Sequence, residues 1–207
     1  SAAFAPDSRT IVTASFDHSA RVWSAERGQH LQVFVGNTDT VDKAVYSPDG
    51  LQVATAGRDR TVRVFDARTA RELMRLVHPS AVMHIAFSPD GRQLATSLIH
   101  GGDVWVWDWR TGRGELLVGY QRDDFRLSRL AFSADGEELA TVDPEQTIKI
   151  WRWRDKRLLR TLPGTGVTLG NLVFSPDGSR LATGDADGQA RVLDAQTGAP
   201  LLTTPGT

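Results

Sequence analysis

The sequence predicts an all-β chain built from five consecutive four-stranded units, and three observations carry that prediction. A turn motif recurs five times at nearly constant spacing. Each recurrence is followed, at a fixed distance, by a strand that is apolar on both faces. The 207 residues include 19 Gly and 9 Pro and no long amphipathic run, a composition suited to short strands joined by tight turns.

The turn motif reads Ala5-Pro6-Asp7-Ser8, Ser47-Pro48-Asp49-Gly50, Ser88-Pro89-Asp90-Gly91, Ser133-Ala134-Asp135-Gly136 and Ser175-Pro176-Asp177-Gly178, at spacings of 42, 41, 45 and 42 residues. Pro presets φ at the first turn position, Asp suits the second, and Gly supplies the positive φ that returns the chain as a hairpin. The motif therefore joins two antiparallel strands. The first is an alternating segment such as Val82-Met83-His84-Ile85-Ala86-Phe87, and the second is exemplified by Leu94-Ala95-Thr96 and Leu181-Ala182-Thr183.

A third strand ends 18 or 19 residues beyond the motif's first residue on Trp23, Phe65, Trp107, Trp151 or Leu193, preceded by Val22, Val64, Val106, Ile150 and Val192. Successive residues of a strand face opposite sides of its sheet, so each sheet is apolar on both sides, as packing between two neighbouring sheets requires. A weaker fourth strand follows, as in Leu73-Met74-Arg75-Leu76 and Leu158-Leu159-Arg160-Thr161-Leu162. A period of 41 to 45 residues is that of one propeller blade per repeat. The whole of 1–207 is read as one β-propeller segment with repeats at approximately 1–36, 37–77, 78–119, 120–164 and 165–207.

The turn motifs, the Trp107-Asp108 dipeptide with its relatives Phe65-Asp66 and Leu193-Asp194, and Asp17, Asp59 and Asp187 six residues before the strand-c anchor resemble the WD40-repeat β-propeller family. The resemblance covers the whole chain and implies radial blades around a central channel, with function on the faces. It also implies a buried network of His, Ser or Thr, Asp and Trp in each blade. The family's Gly-His pair stands here as Gly36-Asn37, Val77-His78, Gly119-Tyr120 and Gly164-Thr165, so only His78 keeps the imidazole. Repeat 3 offers His78, Thr96 and Trp107 without an Asp in register, no repeat has the full set, and apolar packing is expected to carry most of the stability, with Trp151 as a core anchor. Pro205-Gly206-Thr207 repeats Pro163-Gly164-Thr165, so the chain is expected to belong to a longer array and to expose a blade flank, the alternative being a free-standing five-bladed ring with a strained junction.

A net charge of −1 with scattered basic residues argues against nucleic-acid binding, which needs a concentrated basic footprint. No apolar run is long enough to span a bilayer. The absence of cysteine excludes a disulfide framework and fits a reducing, cytoplasmic setting. The five histidines lie in unlike settings and no Ser sits in a nucleophile elbow. Gly164-Thr165-Gly166 lacks the context of a phosphate cradle, and Asp185-Ala186-Asp187-Gly188 lacks the further ligands of a calcium loop. Neither an enzyme nor a cofactor or metal site is expected.

What remains is an interaction scaffold, the sensor or regulatory part of a larger, possibly signalling, protein, binding a protein or peptide through the face that carries the b–c turns and d–a connections. A propeller hydrolase or lyase and a nucleic-acid-binding propeller are the alternatives, and self-association through exposed blade edges is a further expectation. Two neighbouring loops are enlarged. The third repeat has one extra residue around Leu98-Ile99-His100-Gly101-Gly102, and 26 residues separate Trp107 from Ser133 against 23 or 24 elsewhere. The candidate contact residues are Leu98, Ile99, His100, Tyr120, Arg122, Phe125 and Arg126 in these loops, with Phe16 and Arg58 on the same face, since aromatic groups and Arg recur at binding hot spots. The basic stripe Arg21, Arg63, Lys149 and Arg191 on strand c is read as stems packed along the sheet with their charges in solvent. Trp105, Trp109 and Trp153 either cover the rim or mark a contact.

Overall fold

A computed structural model of the chain describes residues 1–120, 129–163, 169–185 and 188–205. Five four-stranded antiparallel sheets follow one another along the chain, each with its strands in sequence order a-b-c-d. Blade 1 comprises β1 (Ala2–Phe4), β2 (Thr10–Ala14), β3 (Ala20–Ser24) and β4 (His30–Phe34). Blade 2 comprises β5 (Val41–Tyr46), β6 (Gln52–Gly57), β7 (Thr61–Asp66) and β8 (Glu72–Val77). Blade 3 follows with β9 (Val82–Phe87), β10 (Gln93–Leu98), β11 (Val104–Asp108) and β12 (Arg113–Val118). Blade 4 has β13 (Leu130–Phe132), β14 (Glu138–Val142), β15 (Ile148–Arg152) and β16 (Arg157–Leu162), and blade 5 has β17 (Leu169–Phe174), β18 (Arg180–Asp185), β19 (Ala190–Asp194) and β20 (Pro200–Thr203). The only helical element among the described residues is one 3-10 turn, Trp153–Asp155.

The hairpin between strands a and b shows why the motif needs its Ser as well as its Asp and Gly. Ser47 Oγ donates to Asp49 Oδ1 at 2.6 Å and accepts from Gln52 N at 2.9 Å, while Asp49 Oδ1 also accepts from Leu51 N at 3.0 Å. Gly50, at φ +73°, turns the chain so that its N–H reaches the Ser47 carbonyl at 2.9 Å. The same bonds form around Ser88, Ser133 and Ser175. The Asp that follows the strand-c anchor closes the opposite hairpin: Asp66 Oδ1 accepts from Arg68 N, Thr69 N and Thr69 Oγ1. Blade 4 has Arg152 there, and its turn is made by the 3-10 segment and an Arg152–Asp155 ion pair of 2.7 Å.

Strand c is apolar on both faces because consecutive residues serve different junctions. Val64 joins the cluster between blades 2 and 3 with Leu76, Ile85 and Leu94, whereas Phe65 joins that between blades 1 and 2 with Val12, Val22, Phe34 and Val53. Similar clusters fill the next two junctions, around Val106, Phe132 and Leu139 and around Ile150, Leu172 and Leu181. Hydrogen bonds add links between blades, as where Arg160 holds Glu138 with two bonds of 2.9 and 2.7 Å and donates through Nε to the Ala195 carbonyl at 2.9 Å. Among the described residues no buried cluster joins blade 5 to blade 1. On the innermost strands of those two blades Val173 is 54 % and Phe4 63 % exposed.

Several sequence expectations change at the level of single residues. Trp151 donates to Thr141 Oγ1 at 2.9 Å but is only partly buried, so the fully covered Phe65 is the better anchor of the core. Arg63 does not keep its charge in solvent. Its guanidinium is buried and paired with Glu72 at 2.6 Å, a geometry that satisfies a charge removed from water. Trp109 and Trp153 cover the rim, each donating to the carbonyl of its own blade's first hairpin, Gly91 or Gly136, at 2.9 Å.

Candidate docking face

Because each sheet is a simple meander, its b–c turn and the connection to the next blade lie at the same end. Backbone bonds tie them together. Val41 N donates to the Ser15 carbonyl at 3.1 Å, Arg58 N to Thr40 at 2.9 Å, His78 N to Arg60 at 2.9 Å and Ile99 N to Ala81 at 2.8 Å. Side chains at this end are thus carried on loops held by the blades on either side.

The b–c turns are built around acidic side chains. Asp59 accepts from Thr61 N and Oγ1, from the backbone of Thr38 at 2.9 Å and from Asn37 Nδ2 at 3.2 Å. Burial opposes its charge, but these bonds together hold its carboxyl below the usual range. Asn37 is also the acceptor for Thr55 Oγ1 at 3.1 Å. It therefore fills in blade 2 the place that His78 fills in blade 3, where Nε2 lies 3.0 Å from Thr96 Oγ1 and the Trp107 indole donates to that same oxygen at 3.2 Å. The buried polar network expected to be missing from blade 2 is present with an amide in place of the imidazole. Blade 4 uses a third arrangement: the buried Asp143 accepts from Thr147 N and Oγ1 and pairs with Lys149 at 3.1 Å. The equivalent Asp187 and the Gly164-Thr165 pair lie outside the described residues.

Phe16, Arg58, Ile99 and His100 share this end of the molecule. Phe16, at the tip of the first b–c turn, is 78 % exposed. Arg58 is half exposed and pairs through Nε with Asp42 at 3.2 Å. The enlarged third turn is accommodated by two consecutive glycines with positive φ, Gly101 at +80° and Gly102 at +65°, which leaves His100 exposed and Ile99 partly covered. Leu98 is a correction: it ends strand β10, is 1 % exposed and belongs to the core between blades 2 and 3. The register shift between Ser97 and Leu98 turns it inward rather than into the loop. Tyr120 is largely covered, with Lys149 Nζ 5.4 Å from its ring centre, and burial pushes its phenol up to about 12. Arg122, Phe125 and Arg126 lie outside the described residues. Sequence reasoning missed Asp42, the partner that holds Arg58; its place directly before Lys43 in strand a was the available signal.

This architecture is that of a β-propeller with its variable side chains at one end of the blades. The family model described as "WD domain, G-beta repeat" matches residues 1–24, 28–66, 71–108 and 156–194, and the chain belongs to the WD40-repeat family. The longest unmatched stretch, 109–155, contains the blade 4 turn that lacks the anchor-following Asp. Among curated relatives, a guanine nucleotide-binding protein subunit beta of Arabidopsis thaliana is 32 % identical over 156 residues, covering 71 % of this chain and 41 % of the relative. The subunit beta-2 of Nicotiana tabacum is 34 % identical over 158 residues, covering 72 % and 42 %. A periodic tryptophan protein 2 homolog of Dictyostelium discoideum is 28 % identical over 163 residues, covering 76 % and 17 %. The chain spans less than half the length of these relatives. Among the described residues no helix is long and apolar enough to cross a membrane, and no group of three or more His, Asp or Glu side chains is placed to hold a metal ion.

Proposed function

We propose that this chain is a protein-interaction scaffold that binds a protein or peptide through the end carrying the b–c turns and d–a connections, and that it acts by binding rather than by catalysis. The observation that carries the reading is the display of Phe16, Arg58, Ile99 and His100 on loops locked to neighbouring blades by backbone bonds. Contact groups held rigidly lose little entropy on association. The relatives named as guanine nucleotide-binding protein subunits support a place in a signalling assembly, and the cysteine-free sequence supports a cytoplasmic one. A nucleic-acid surface is less well supported, because three of the bases at this end are tied to carboxylates: Arg21 to Asp17 at 2.7 Å, Arg58 to Asp42 and Lys149 to Asp143. The exposed Phe4 on the innermost strand of blade 1 supports self-association as a second contact mode.

Replacing Phe16, Arg58, Ile99 and His100 together by Ser should weaken a bound protein by at least about 2 kcal/mol, as loss of hot-spot side chains commonly does. Unfolding should shift by less than about 1 kcal/mol, because the group lies outside the buried clusters and an exposed ion pair contributes little. Titration calorimetry and urea denaturation of the same variant check both halves. Unchanged affinity would move the docking surface elsewhere.

A further inference from the structure

The innermost strand of each blade carries a residue in the same register, four residues before the first residue of the turn motif. Along the chain this position is Ser1, Lys43, His84, Arg129 and Asn171. Three successive blades therefore place a nitrogen base at the same height. The register supports the equivalence: Lys43 lies opposite Ala56, His84 opposite Ser97 and Asn171 opposite Gly184, while Ser1 and Arg129 accept through their carbonyls from the corresponding Ala14 and Val142 N–H groups. Four of the five line an axial recess of about 520 Å³ whose walls also include Phe87 and Phe132. No carboxylate lines it among the described residues. Among the described residues the Lys43 ammonium forms no ion pair, and His84 Nε2 is buried without a hydrogen-bond partner.

A partly buried ammonium and a buried imidazole nitrogen both lack the solvation of water in this recess, so Lys43 and His84 are stabilised by whatever brings negative charge and hydrogen-bonding oxygens to them. We infer that the recess is an anion site, in which Lys43, His84 and Arg129 receive one oxyanion, a phosphate or carboxylate group, with the Asn171 amide as a further polar contact. Lys43 and Arg129 supply charge and His84 an N–H. The titration behaviour agrees: burial, then the Arg129 and Lys43 charges, hold the His84 imidazole down to about 3, and burial with Arg129 lowers the Lys43 ammonium. An arriving anion opposes the share of both shifts that comes from the neighbouring cations. The oxyanion can be free or carried on a peptide, and the inference does not depend on the docking reading above.

Thermal unfolding and calorimetry of the whole chain test the site with inorganic phosphate and with the capped amino acid N-acetyl-phosphoserine methylamide, against sodium chloride at equal ionic strength. Both probes should raise the melting temperature above the chloride control, and Lys43→Met should weaken binding by about tenfold or more, the effect of losing one charge-assisted bond. His84→Phe, a second variant of similar shape, should do the same, whereas Arg92→Gln on the opposite end of the blades should bind as the parent does. Tighter binding of the phosphoserine probe than of phosphate assigns the oxyanion to a peptide; equal binding assigns it to a free anion. No stabilisation beyond chloride, or equal binding by the parent and both recess variants, overturns the inference.

Discussion

Phe65→Ala should destabilise the fold by about 3–5 kcal/mol, the cost of truncating a buried aromatic and leaving a cavity. Phe65 is 1 % exposed at the centre of the junction between blades 1 and 2, 5.2 Å from the Phe34 ring and in a cluster with Val12, Val22 and Val53. Those neighbours come from paired strands of two sheets, so they cannot move into the space without breaking ladder hydrogen bonds, and the cavity should persist. The hydrogen-bonded turn at Asp66 would remain. Val77→Ala, at a side chain 68 % exposed on the outermost strand of the same blade, should change stability by less than about 0.5 kcal/mol. Urea denaturation of both variants checks the pair; similar small shifts would mean that the junction does not hold the blades together as described.

The second large effect is a pH dependence set by His78. Burial holds its imidazole down to about 4, against an ordinary value of 6.5. In the folded chain Thr96 accepts from the Trp107 indole and can give its own hydrogen to His78 Nε2. The unfolded chain takes up the proton first, so stability from this group is complete above about 6.5 and is lost as pH falls toward 4. The loss reaches about 3 kcal/mol when the whole window is crossed. His84, held lower still, adds a loss of the same sign. His78→Asn, which installs the side chain that blade 2 already uses as Asn37, should remove one proton's worth of slope between pH 6.5 and 4 even if overall stability also falls. Urea denaturation across that window measures the slope directly; an unchanged slope would place the titrating group elsewhere.

The repeat and its strands were legible because the chemistry is local. Ser, Asp and Gly at fixed offsets close a hairpin through bonds within six residues, and paired apolar positions on strand c announce a sheet covered on both sides. The polar networks were only half legible. Asn37 reads as the loss of a histidine until Thr55 and Asp59 are seen on either side of its amide. Leu98 misleads because the register shift that sends it into the core leaves no mark in a run of apolar residues beside two glycines. Arg63 misleads for a related reason: its partner Glu72 sits on the next strand, nine residues on, and only the pairing of β7 with β8 brings the two together. Least legible was the axial row of Lys43, His84 and Arg129. Each is an ordinary residue within its own repeat, and the row exists only once separate blades are set side by side around an axis.

The claim that the b–c turn end is the docking surface is tested most directly by site-specific photocrosslinking. Benzoylphenylalanine introduced at Phe16, on that end, and at Leu51, 63 % exposed at the opposite end in the first hairpin of blade 2, gives two probes of comparable exposure on one molecule. Irradiation in the presence of the proteins with which the chain assembles should yield a discrete adduct from position 16 and none from position 51. Adducts from position 51 alone, or from neither position while an assembly is present, would contradict the account.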